Sequence, residues 1–361
     1  MAPCVGFWMS EELPEVLHHK SSRGRAGTAR SYRAQVSAID FGAGGQKPAV
    51  TLADGHSGQG TCLGCHDTPC MEKSPLESVV ASALESFPGD PSNAVCPTEA
   101  LAWNEARRVI QVDSATCIGC GLCVVRCPYG AIYLEGVKKA AVLTDDPNAM
   151  VIATDTQPSA VGHPTPLRKG RLGGSTAVPL TNLPSSIGAL SDAAAAAFIR
   201  NVLHELGVRC RTRRRGDTNV RIDAVATFDD GLIGVLEIEL TGAVLDSPRA
   251  LLEDIAILHT RYAMPIGVIC PISVVLALPN ARSEYYQVVE DIKRVLGIQC
   301  RTLTVGALVL LLWSLGRMPG LKGDLFVTGA GGADLLPSLQ TLVRNLHYDG
   351  EPYAASLRTA K

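Results

Sequence analysis

The chain has 361 residues, 46% hydrophobic and 19% charged, with 33 basic and 35 acidic side chains and a net charge of −2. That length suggests about two or three domains, and the balanced charge excludes a chain-wide attraction to nucleic acid or to an anionic membrane surface, leaving only local patches. The longest apolar run, Val305 to Trp313, is too short to span a bilayer, so no membrane partner is expected.

Residues 1–56 are weakly patterned. Arg23, Arg25, Arg30 and Arg33 sit amid Gly and Ser, which reads as a partly disordered basic leader or as a short tail that contacts nucleic acid. Met1 to Glu12 has no basic region followed by an apolar run, so no export signal is expected. A chain with twelve cysteines that uses them as thiolates needs a reducing compartment, and the expected location is cytoplasmic.

Residues 57–140 carry most of those cysteines. Cys117, Cys120 and Cys123 are each separated by two residues, and Cys127 follows, directly before Pro128. Three thiolates at this spacing lie on one tight loop, as three corners of an iron–sulfur cube require. An earlier set contains Cys62, Cys65 and Cys70, followed by Cys96-Pro97. Thr98-Glu99-Ala100-Leu101 after one Cys-Pro echoes Tyr129-Gly130-Ala131-Ile132 after the other, as duplicated halves would. The alternatives are zinc sites using Cys62-x2-Cys65 and Cys117-x2-Cys120, or disulfides.

This segment resembles the two-[4Fe-4S] ferredoxin family of bacterial type. The resemblance implies that each fourth cysteine ligates the other cluster. One cluster would then take Cys62, Cys65, Cys70 and Cys127, and the other Cys117, Cys120, Cys123 and Cys96. The pattern departs between Cys65 and Cys70, where four residues replace two, and again in the long gap from Cys70 to Cys96. A helical insertion from about Pro75 to Phe87 is expected to fill that gap.

Residues 141–186 are punctuated by Pro147, Pro158, Pro164, Pro166, Gly173-Gly174 and Pro179 and read as a linker and domain boundary. Beyond it, over 187–320, the pattern predicts an α/β domain. Ser191-Asp192 caps a helix to about Leu206, with Ala195, Phe198, Ile199 and Val202 on one apolar stripe. Strands follow over Val208–Arg213, Asn219–Phe228 and Leu232–Leu240. Then come a helix from Ser247, a strand over Pro265–Pro271, a helix over Ser283–Leu296, a strand over Ile298–Leu303 and a helix over Val305–Leu315. Residues 321–361 are a tail with one helix, Leu335–Leu346. Cys4, Cys210, Cys270 and Cys300 are scattered and read mostly as small core residues.

Asp223, Glu237 and Glu239 lie within strands otherwise rich in Val, Ile and Leu. A three-residue turn at Asp229-Asp230-Gly231 sets Asp223 opposite Glu237 and Arg221 opposite Glu239. Opposed like charges destabilise a hairpin, and a divalent cation, magnesium or manganese, would compensate. A two-residue Asp230-Gly231 turn instead sends Asp223 to the other face. A third reading is an ordinary sheet with Arg221 paired to Glu239. Arg209, Arg211, Arg213, Arg214, Arg215 and Arg221 crowd beside this hairpin and read either as a phosphate-binding, nucleic-acid-contacting patch or as a charged strand edge.

On Asp223 and Glu237-Ile238-Glu239, the segment from about Ala189 to Leu303 resembles the restriction-endonuclease-like PD-(D/E)XK superfamily, with Glu239 where Lys is usual. The whole is then an α+β ferredoxin-like dicluster domain joined to an α/β restriction-endonuclease-like domain, with a core of helix, three strands, helix, strand. The resemblance implies metal-dependent phosphodiester hydrolysis, with Asp223 and Glu237 as ligands and Glu239 positioning the metal or its water. Glu205 reads as a further acidic ligand or as a solvated helix-end residue. The competing expectations are a ferredoxin-type electron carrier whose C-terminal domain docks a redox partner, and a redox-gated regulator that binds nucleic acid without cutting it.

Overall fold

The computed structural model describes residues 68–104, 109–113, 115–126, 132–135, 139–142, 183–184, 186–241, 244–314, 316–343, 346 and 354–359. The basic leader, Cys62, Cys65, Cys127 and nearly all of the predicted linker lie outside the described residues.

The duplicated Cys-Pro steps are matched by duplicated hairpins. Strand β1 (Leu101–Asn104) pairs antiparallel with β2 (Val109–Val112), and β3 (Ile132–Glu135) with β4 (Lys139–Val142). Leu101 and Ile132 each stand five residues after their cysteine, so the two halves place their hairpins equivalently. Between the pairs lies the short helix α1 (Leu122–Arg126).

The second region begins with α2 (Asp192–Glu205), capped by the Ser191 hydroxyl accepting from Ala194 N–H. A five-stranded sheet follows in the order β5 (Arg209–Thr212), β6 (Ala224–Thr227), β7 (Ile233–Glu239), β8 (Ile269–Val275) and β9 (Arg301–Thr304). The first three strands are antiparallel to their neighbours; β7, β8 and β9 run parallel. Helix α3 (Ser247–Arg261) makes the crossover from β7 to β8, and α4 (Glu284–Leu296) the crossover from β8 to β9. Helix α5 (Val305–Trp313) is wholly buried, as an all-apolar helix must be. Helices α6 (Leu336–Leu342) and α7 (Ala354–Leu357) close the chain. The predicted order of helix, three strands, helix, strand is observed. Among the described residues no helix is long and apolar enough to cross a membrane.

Alternation along the strands feeds two cores. Val225, Val235 and Ile233 face Leu251, Ile255 and Leu258 of α3. Ala224, Ala226 and Leu236 face the opposite way, toward Phe198, Ile199 and Val202 of α2, where each large apolar side chain stabilises the fold by roughly 1.5–3 kcal/mol.

Three expectations need correction. The insertion before Cys96 is not one helix: it forms two short 3-10 turns, Pro75–Ser78 and Ser82–Leu84. Its apolar residues do not line one helical face: Val80, Leu84 and Phe87 enter the α3 core, while Leu76 and Val79 are exposed. The predicted strand from Asn219 is shortened to Ala224–Thr227, so Asp223 lies at its mouth rather than mid-strand. The ladder ends there because Ile238 N–H is taken by the Asp223 carboxylate at 3.0 Å.

The third correction concerns separation of the two regions. Val95, Ile110, Leu122, Val124 and Val125 share one continuous core with α2 and α5. The insertion also extends the sheet edge: Asp90 N–H donates to Thr212 O at 2.8 Å and Arg214 N–H to Pro88 O at 3.0 Å. An unpaired edge strand is thereby covered.

Candidate functional site: a cysteine pocket beside a charged cleft

Cys96, Cys117, Cys120 and Cys123 line one small cavity, walled otherwise by Ala100, Leu101, Val112 and Leu122. The loop that carries three of them is tight because Gly121 adopts φ +81°, a conformation that favours glycine. Asp113 braces the loop, accepting from Ala115 N–H at 2.8 Å and from the Thr116 hydroxyl at 2.9 Å. Cys96 arrives from the insertion, and its sulfur accepts from Ala100 N–H at 3.2 Å. On the far side, the Trp313 indole N–H donates to Cys120 O at 3.1 Å, so α5 buttresses the loop directly.

The donor set is soft and the pocket is dry, which suits an iron–sulfur cluster. Burial pushes the Cys120 thiol up to about 12, with Cys96 and Cys117 adding repulsion. Cys123 is raised for the same reasons. Four thiols gathered in an apolar pocket are costly as thiolates without a cation to neutralise them. Among the described residues, no three His, Cys, Asp or Glu side chains are grouped to hold a single metal ion. A zinc ion needs its donors around one centre, whereas a cube takes them at four separate corners. Among the described residues, no two cysteines form a disulfide with each other. Cys70 is buried nearby, within electrostatic reach of Cys123.

A second feature went unread in the sequence. The face of α2 expected to meet solvent is buried: Arg200, Asn201, His204 and Glu205 are all under 6% exposed. Each meets the insertion or its neighbours. Asn201 donates to Ala94 O and Val95 O at 2.9 and 2.8 Å, and Arg200 pairs with Asp90 at 2.7 Å. Glu205 is neither a solvated helix end nor part of an acid cluster. It pairs with Arg126, the residue just before Cys127, and Arg126 also grips Glu77 through two contacts of 3.0 Å and Pro69 O at 2.6 Å. Burial opposes the charge of Arg126, but Glu205 and Glu77 outweigh it and hold the guanidinium firmly protonated. His204 Nε2 lies 2.8 Å from Cys210 O and its Nδ1 lies 3.5 Å from Lys73 Nζ. Burial and Lys73 push its pKa down to about 3, so it is a neutral structural imidazole.

A cleft of about 890 Å³ runs along the other side of Cys96. Asp223, Glu237 and Glu239 line it together with Arg213, Arg214 and Arg215. The β6–β7 register pairs Ala224 with Leu236 and therefore sets Asp223 opposite Glu237. Local chemistry selects this register. Phe228 and Leu232 close a three-residue turn, Phe228 N–H donating to Leu232 O at 3.1 Å, with Gly231 at φ +86°. The turn is then anchored from outside: Asp230 accepts from Leu321 and Lys322 N–H at 2.8 and 3.0 Å.

Burial raises the carboxyl of Asp223, and burial with the charges of Asp223 and Asp254 takes Glu237 up to about 7. Glu239 is turned to Thr241, accepting its N–H and hydroxyl at 2.8 and 2.5 Å. Glu239 is thus not grouped with Asp223 and Glu237 to hold one ion among the described residues. Arg221 does not pair with Glu239 but with Glu253 at 2.9 Å, and lies 3.8 Å from Asp254. Of the predicted phosphate-binding arginines, Arg211 is committed to the main-chain carbonyls of Ser78, Glu85 and Phe87. Arg213 is shared between Val220 O and Asp223. Arg214 and Arg215 are exposed.

Asp254 is fully buried on α3, and neither carboxylate oxygen has a hydrogen bond. Burial, then Asp223 and Glu253, raises it to about 7 against the pull of Arg221. The unfolded chain holds such a proton only below about pH 4. Stability is therefore expected to fall as pH rises from there through about 7. Asp254→Asn should raise the thermal midpoint most at pH 8 and leave it nearly unchanged only below about pH 4.

Comparison with known proteins bears on residues around the cysteine pocket. The model of the 4Fe-4S binding domain matches residues 110–133. The chain is 31% identical over 81 residues to an uncharacterized ferredoxin-like protein, YdhX, of Escherichia coli K12, covering 22% of this chain and 26% of that protein. It is 43% identical over 45 residues to the thiosulfate reductase electron transfer subunit PhsB of Salmonella typhi, covering 12% and 23%. It is 31% identical over 91 residues to hydrogenase-4 component A of Escherichia coli K12, covering 22% and 43%. The chain thus spans less than half the length of each of these relatives. No solved structure matches it. What the pocket and these similarities establish together is a ferredoxin-type 4Fe-4S binding region, carried on a chain most of whose length those relatives do not cover.

Proposed function

We infer that the protein is an electron carrier with two [4Fe-4S] clusters, whose α/β region is built onto the cluster-bearing region and docks a redox partner. The observation that carries this reading is the convergence of Cys96 with Cys117, Cys120 and Cys123 on one pocket. That convergence is what the exchange pairing of a two-cluster ferredoxin would require, with Cys62, Cys65, Cys70 and Cys127 then going to the other cluster. The electron-transfer role named for the Salmonella typhi relative points the same way. When bound, the clusters supply reversible one-electron transfer. The chain's residues hold the sulfurs, donate to them from Ala100 N–H, and exclude water with Leu101, Val112 and Leu122. Protein purified anaerobically should contain about eight iron and eight sulfide per chain and should be reduced and reoxidised reversibly. Iron at half that level, or no reversible reduction, overturns the reading.

A second reading, phosphodiester hydrolysis by a restriction-endonuclease-like domain, is favoured by one observation: Asp223 stands opposite Glu237 at the end of the β6–β7 ladder, within the observed helix, three strands, helix, strand order. The turning of Glu239 to Thr241 speaks against it. Incubation with DNA or RNA and manganese decides the matter. Cutting that Asp223→Ala abolishes, with cluster absorbance unchanged, would establish it.

A further inference from the structure

The α/β region touches the cysteine loop through one polar contact of defined geometry. Helix α5 is buried along its whole length. Its last residue, Trp313, is 7% exposed and donates its indole N–H to Cys120 O at 3.1 Å. Trp313 is not part of the cavity lining, whereas Gly119, Cys120 and Gly121 are. The indole therefore holds the loop from outside the cavity. A trans peptide unit points its C=O and its N–H in opposite directions, and no peptide bond among the described residues is cis. With Cys120 O drawn out to Trp313, the Gly121 N–H is turned toward the cavity. Gly119 and Gly121, at φ +73° and +81°, supply the left-handed conformations from which concave, anion-binding rows of N–H groups are built. The neighbouring Leu122 N–H already favours a thiolate at Cys120.

We propose that Trp313 is a positioning residue for the cluster assigned to Cys96, Cys117, Cys120 and Cys123: it fixes the Cys120–Gly121 peptide with its N–H toward the cluster cavity, and so raises that cluster's reduction potential. The proposal rests on the cluster reading above. One-electron reduction, by a donor protein or by dithionite, adds one negative charge and breaks no bond. N–H dipoles aimed into the cavity favour that added charge, and hydrogen bonding is one of the factors that set such potentials. Releasing the peptide withdraws a donor and lowers the potential. The α/β region then does more than dock a partner: through one indole it sets the potential at which one of the two clusters works.

Two changes to the full chain test this. Trp313→Phe keeps an aromatic ring and removes the donor. The benzothienyl analogue of tryptophan, placed at position 313, keeps the full ring volume and also lacks the N–H. Iron and sulfide are measured first on each preparation, and both couples are then followed by dithionite titration with electron paramagnetic resonance. One hydrogen bond is worth about fivefold in an equilibrium constant, so each variant is expected to lower one potential by about 40 mV and leave the other in place. Electron–nuclear double resonance of the reduced protein, in water and in heavy water, should show one exchangeable proton coupling weakened. Unchanged potentials in iron-replete variants overturn the proposal, as does an equal shift of both couples. Loss of iron from the analogue-bearing protein overturns it as well, because the bond would then serve assembly of the cluster and not its potential. Wild-type protein that lacks iron overturns the cluster reading itself, and the role of Trp313 with it.

Discussion

With two clusters bound as proposed, Cys96→Ser is expected to remove one and leave the other, so that iron falls from about eight to about four per chain. The expectation is sharp because Cys96 is remote in sequence from the three cysteines it joins. Its place beside them depends on the hydrogen bond from Ala100 N–H to its sulfur and on the main-chain grip of Asn201 on Ala94 and Val95. Cys210→Ser is the matched control. Cys210 is fully buried in the α/β core, where burial pushes its thiol up to about 12, and it should leave iron content unchanged. Metal analysis and electron paramagnetic resonance of reduced protein check both. Loss of all iron from Cys96→Ser, with the fold intact by circular dichroism, would mean that the two clusters assemble only together.

Glu205→Ala is expected to be the most destabilising single change outside the clusters, by about 3–5 kcal/mol. It strips one partner from a guanidinium that is 7% exposed and leaves that charge short of compensation. The same substitution loosens the tie between α2 and the insertion, because Arg126 joins Glu205 to Glu77 and to Pro69 O. A chemical denaturation series checks the magnitude. Arg249→Ala, which removes a largely exposed pair with Glu253 at 3.7 Å, should change stability by no more than about 1 kcal/mol. Comparable losses for the two variants would refute the role assigned to the buried pair.

The β6–β7 hairpin, the starts of the α/β-region helices and the cluster loop were legible from local patterns. Ser191 and Ser283 cap their helices as read. Gly231 and the acidic turn before it select the register. Cys-x2-Cys-x2-Cys announces its own chemistry. The burial of the polar face of α2 was not legible because Arg200, Asn201, His204 and Glu205 are ordinary surface residues by composition. Their partners come mostly from the segment between Cys70 and Cys96, more than a hundred residues earlier, and for Glu205 from Arg126. The insertion itself misled because Pro75–Phe87 has helical composition but forms two short turns, with Leu76 and Val79 left exposed.

By itself, then, the amino-acid order determined that Cys117, Cys120 and Cys123 form a set, where the β6–β7 hairpin turns and how helices alternate with strands. Those properties depend on spacing and periodicity over a few residues. Tertiary structure alone decided that the cluster region and the α/β region share one core, that Arg211 serves main-chain carbonyls while Arg214 and Arg215 line a cleft, and that Cys96 stands in the wall between cleft and cluster. Each of these depends on segments distant in sequence meeting in space, and the burial that results sets which charges are paired and which are left facing the cleft.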